Sequence, residues 1–172
     1  AQYLAGLVAD GSQMTRKQLE TWCRTTGWGM VNEYTVPWVT SESPHARDLA
    51  MKWIGSKKES VASCGWNTYS SMISIRSDDE LDIKEIRGLL KQVVAEIDGA
   101  QNRVRYTMNG FVISVGVYVG PCLKAAKAAA KKLGKVSVNV GDTACKVPLA
   151  TEYIEKCESA GRLGKKRKTA KC

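Results

Sequence analysis

The chain has 172 residues, 26 lysines and arginines against 17 aspartates and glutamates, a formal net charge of +9 and 44% apolar residues, enough for one domain that buries a core without staples. Cys23, Cys64, Cys122, Cys145, Cys157 and Cys172 stand singly with no CxxC pair, and the one histidine, His45, has no cysteine or second histidine beside it; no disulfide framework, metal or cofactor is expected. The longest apolar run, FVISVGVYV at 111–119, is about half a membrane span and AQYLAGLVADG carries no secretion signal, so no membrane partner and an intracellular, cytoplasmic location are expected.

Taken in order, TRKQLETWC opens a helix with Thr15 as N-cap and Leu19 and Trp22 on one face. A helix is predicted over 27–39, and Trp28 lies at its start between Gly27 and Gly29, where the backbone leaves room for a ligand. SPHARDLAMKWIG follows with Ser43 as N-cap and Pro44 at the first helical position. After a helix at 58–75, LDIKEIRGLLKQVVAEI repeats Ile83, Ile86, Leu90, Val93, Val94 and Ile97 at helical spacing and leaves Lys84, Arg87 and Lys91 on another face.

NRVRYTMNGFVISVG, within a helix at 102–118, has Asn102 as cap and Val104, Met108, Phe111 and Val115 as its buried stripe. Arg103 and Arg105 near its start suit either phosphates or surface acids. In the helix over 121–133, Lys124, Lys127, Lys131 and then Lys135 project from one face; such a stripe is a solvated face or a phosphate-binding one. KVSVNVGD at 135–142 alternates like a strand and is either a hairpin arm or an ordered loop. A last helix spans 148–160. The basic end, GRLGKKRKTAKC, holds Arg162, Lys165, Lys166, Arg167, Lys168 and Lys171 without an acid, which favours a polyanion or simple solubility. The domains predicted are a helical domain, 1–160, and a basic tail, 161–172.

The segments NRVRY, GDTACKVP and GKKRKTAKC, in that order and spacing, resemble the C-terminal half of the DNA alkylation repair family related to the bacterial alkylpurine DNA glycosylases. The resemblance covers nearly the whole chain, and family members are longer at the N-terminus. It implies an all-α fold, a curved superhelical stack of HEAT-like antiparallel helix pairs (an α-solenoid), whose basic concave face holds DNA. In the glycosylases, aromatic side chains contact the deoxyribose. An aspartate there stabilises the charge that develops as the N-glycosidic bond breaks, beside an arginine, and the products are N3- or N7-alkylated purines.

Carried over, Trp28 resembles the family tryptophan one helical turn before the catalytic acid, but Asn32 stands at the acid's position. Glu33 projects roughly a quarter-turn away. Ser63 stands where the arginine is expected, and Phe111 falls at another site aromatic. The candidate catalytic residues are therefore Trp28, Asn32 and Glu33. The candidate DNA ligands are Arg103, Arg105, Lys124, Lys127, Lys131, Lys165, Lys166, Arg167 and Lys168. Three readings follow: a monomeric binder of duplex, alkylated or branched DNA with weak or absent glycosylase activity, an active alkylpurine glycosylase, or a helical-repeat scaffold for protein partners.

Overall fold

The computed structural model describes residues 1–171, helical with no strand among them. Two compact units are formed, Ala1–Ile75 with the described residues from Arg167 onward, and Arg76–Lys166. Residues 161–171, read in the sequence as a tail, are divided between these units.

In the first unit, α1 (Gln2–Val8), α2 (Arg16–Thr25), α3 (Val36–Ser41), α4 (Ala46–Ile54) and α5 (Glu59–Ile75) surround Leu19, Cys23, Val39, Leu49, Trp53 and Cys64. Thr15 caps α2 in a reciprocal box: its Oγ1 accepts from the Gln18 N–H at 3.3 Å, and Gln18 Oε1 accepts from the Thr15 N–H at 2.8 Å. The start of α4 departs from the sequence reading. Ser43 is a turn residue whose hydroxyl donates to the Thr40 carbonyl at 2.7 Å, and the helix begins at Ala46 with His45 at the cap position. Gly65 lets α5 lie directly on α4, because a Cβ there would sit 2.5 Å from the Ile54 nitrogen.

The stretch before α3 is a π turn, Val31–Thr35. Pro37 has no N–H to return to the Glu33 carbonyl, the Val36 N–H reaches back five residues to the Val31 carbonyl, and Asn67 Nδ2 of α5 donates to the Glu33 carbonyl at 2.6 Å. A side chain from a neighbouring helix thus satisfies the acceptor that proline leaves open.

The last described residues are stitched into this unit. The Arg167 N–H donates to the Ser74 carbonyl at 2.8 Å, Thr169 Oγ1 donates to Glu42 at 2.6 Å, and Ala170 is fully buried. Lys171 Nζ donates to the Ala9 and Leu7 carbonyls at 2.7 and 3.3 Å, where α1 ends and its carbonyls lack helical partners.

In the second unit, α7 (Asn102–Tyr118) packs against α6 (Ile83–Glu96), α8 (Leu123–Leu133) and α9 (Ala150–Ser159). Its Val104, Met108, Phe111 and Val115 are all buried. Phe111 is thus a core residue of this helix. Gly116 admits Ile154 of α9, whose Cδ1 would lie 2.5 Å from a Cβ.

The 135–142 segment is a loop. Val136, Val138 and Val140 are half-buried between exposed neighbours, so the alternation reports an extended chain with no ladder partner. Asn102 orders it by donating to the Asn139 carbonyl at 2.8 Å and accepting from the Asn139 N–H at 2.7 Å. No single helix among the described residues is long and apolar enough to cross a membrane.

Candidate nucleic-acid interface

Trp28 follows the end of α2, and its carbonyl accepts from the N–H groups of Val31 and Asn32 at 3.0 and 3.2 Å, so the next helical stretch starts on it. The indole is left 60% exposed, the one tryptophan among the described residues open to this degree. With Tyr3, Met30, Tyr34 and Trp38 it lines an open apolar cavity of about 320 Å³. The rings of Tyr3 and Tyr34 each stand 6.3 Å from that of Trp38, edge-on and tilted respectively, within the range of favourable aromatic pairs. The sequence reading missed these companions, although Met30, Tyr34 and Trp38 recur at intervals of four.

The residues behind Trp28 point inward. Asn32 is 2% exposed, and its Nδ2 donates to the Cys23 carbonyl at 2.9 Å, in the last turn of α2 where no helical N–H is available. Its Oδ1 is buried without a hydrogen-bond partner. Glu33 is also buried. Burial, then the hydrogen bond to Cys23, push the Cys64 thiol well above its ordinary value, and the Glu33 charge adds to this against the opposing bond to Thr68. The Glu33 carboxylate is therefore felt within the core. Ser63 is fully buried, its hydroxyl without a hydrogen-bond partner. The positions that the resemblance equates with a catalytic acid and arginine thus carry a neutral amide engaged with the backbone and a buried hydroxyl.

The candidate cations differ in how free they are. In the second unit Lys124, Lys131 and Lys165 are exposed, whereas Lys127 pairs with Glu158 at 2.6 Å and Lys166 with Asp78 at 2.8 Å. Arg103 lies over the Tyr106 ring at 4.6 Å, and Arg105 is half-buried with its Nε enclosed. In the first unit Lys168 is exposed, while the Arg167 guanidinium donates to the Lys171 carbonyl at 3.1 Å. Trp28, Asn32 and Glu33 belong to one segment of that same unit.

Chemically, the cavity beside Trp28 offers flat apolar faces and no ionisable acid or base besides the tyrosine hydroxyls. It suits stacking better than proton transfer. Among the described residues no group of three His, Cys, Asp or Glu side chains converges to hold a metal ion.

No protein-family model matches the chain. Uncharacterised proteins of Listeria innocua and Listeria monocytogenes are each 36% identical to it over 160 residues, which make up 91% of this chain and 67% of each relative. A solved structure described as representing a new family of proteins related to the HEAT-like repeat DNA glycosylases, with affinity for branched DNA structures, is similar at a TM-score of 0.90. Its identity to this chain is 32%, over 99% of this chain and 72% of that one.

Proposed function

The chain belongs to the family of proteins related to the HEAT-like repeat DNA glycosylases, and from that premise we propose that it is an intracellular protein that binds DNA, branched DNA in preference to plain duplex, without excising bases. The affinity ascribed to the solved relative's family supports the branched preference. The observation that carries the absence of chemistry is Asn32: it occupies the acid's place in the resemblance, is 2% exposed, and has donated its amide to the Cys23 carbonyl. A neutral buried amide gives no counter-charge to a sugar cation forming outside the fold. Nor does Glu33 replace it, since it is 5% exposed and turned into the protein.

On this reading Trp28 is a stacking platform for bases that lack a neighbour at a branch point, a role worth about 1–3 kcal/mol per base. Lys124, Lys131, Lys165 and Lys168 act as phosphate ligands, and Arg103 and Arg105 are further candidates for that role. Lys127, Lys166 and Arg167 contribute less, being already engaged within the protein. The role in alkylation repair implied by the resemblance becomes one of recognition.

The test is the Trp28→Ala variant titrated with four-way-junction and duplex DNA. Removing an indole that is 60% exposed leaves stability within about 0.5 kcal/mol, and junction affinity is expected to fall about 5- to 100-fold with duplex affinity little changed. Equal losses on both substrates would remove the branch-specific role of Trp28, and no loss on either would remove it from the interface.

A further inference from the structure

The second unit carries a groove that the DNA-binding reading does not use. It lies between α6 and α8, has a volume of about 410 Å³, and its floor is Leu90 and Val94 from α6 with Ala125, Ala128 and Ala129 from α8. Its rim is basic: Arg87 and Lys91 from α6 and Lys132 from α8, all exposed, and no acidic side chain lines it. The Arg87 guanidinium donates to the Pro121 carbonyl at 3.1 Å, which holds it at its place on the rim.

We propose that this groove docks an amphipathic helix of a protein partner, one with apolar residues at three- and four-residue spacing flanked by aspartate or glutamate. Three features select that occupant. The alanines of α8 carry little side-chain bulk and let a second backbone come close, as helix-in-groove recognition requires. An apolar floor offers no donors to a phosphate backbone, which needs N–H groups or cations along its path, and a recessed channel suits a rod better than a flat bilayer. The charge is complementary: α6 and α8 carry three and four cations against two acids, Glu85 and Glu96, both on α6 and both outside the groove. Lys127 is taken by Glu158 and Arg87 is held by the Pro121 carbonyl, whereas Lys91 and Lys132 are exposed.

The proposal is tested on the full chain with a fluorescent synthetic peptide of about 18 residues, leucines on one face and glutamates on the flanks, beside a counterpart with lysines on the flanks. The acidic peptide is expected to bind at least ~10-fold tighter than the basic one. Ala128→Tyr fills the groove at an exposed alanine without altering charge and is expected to weaken the acidic peptide ~10-fold or more. Lys91→Glu with Lys132→Glu is expected to do the same, and decides the matter if the tyrosine variant does not fold. No binding of the acidic peptide, or binding unaffected by either change, would overturn the proposal. It would also be overturned if the two changes weakened duplex DNA, or vesicles of anionic phospholipid, in place of the peptide, for the groove would then belong to a nucleic-acid or lipid surface.

Discussion

At the scale of single residues, Trp28 and Asn32 face opposite ways from almost adjacent positions. Trp28 stood out in the sequence because its flanking glycines set it apart, and it is the most exposed tryptophan among the described residues. The inward commitment of Asn32 was not legible, since a side chain bonded to a carbonyl nine residues back depends on where α2 stops. One prediction follows for Asn32→Asp. A carboxylate oxygen in place of Nδ2 would oppose the Cys23 carbonyl, lose the hydrogen bond and sit desolvated, at a cost of roughly 1.5–3 kcal/mol. Burial raises a carboxyl's folded-state pKa, so the variant's stability is greatest below the ordinary Asp range and falls as pH rises through the raised value. Urea unfolding should show a larger deficit against the parent at pH 7 than at pH 4, with no gain of base release.

Among the elements, the strongly periodic helices were legible because each buries one face. Seven-residue α1 was not, being too short for a period to repeat. The helix expected at 27–39 is there, but its π turn is not written in local pattern: it follows from Pro37 together with Asn67, which lies on another helix. Close packing is likewise a property of pairs of elements. Gly65→Ala would push a methyl group into the α4 backbone at Ile54, and a cost of about 1–3 kcal/mol is expected in chemical denaturation. A change under 0.5 kcal/mol would mean that α4 and α5 are not so tightly joined.

For the whole molecule, composition showed the cations of the basic end but not their partners. Deleting residues 167–172 removes the Arg167 to Ser74 bond, the Thr169 contact with Glu42, and the Lys171 amine on two carbonyls. The bonds to Glu42 and from the Lys171 amine are charge-assisted and contribute about 1.5–3 kcal/mol each at most, and the neutral backbone bond of Arg167 about 0.5–1.5 kcal/mol. The truncated chain is therefore expected to melt several degrees lower, in addition to any loss of DNA affinity; an unchanged melting temperature would show that the end is not structural.

Acid sensitivity is also a property of the whole. Lys52, donating at 2.8 Å, holds the Glu20 carboxyl below its usual 4.5. Hydrogen bonds from Ser12 and Ser77 lower Asp10, Asp79 and Glu80. Depressed carboxylate pKa values give stability that is present above the ordinary range and lost as pH falls through the lowered values. A pH titration of the melting temperature should thus be flat from neutrality to about pH 5 and fall below about pH 4. Glu20→Gln should make that fall shallower.

The measurement that bears most directly on the central claim is a titration of the purified chain with four-way-junction, plain duplex and 3- or 7-alkylpurine-containing DNA across a salt series, with released base scored in the same samples. Tighter binding to the junction, weakening steeply with salt, and no released base are predicted. Release of alkylpurine at a rate above the DNA-only control, or failure to bind any of the three at moderate salt, would contradict the account.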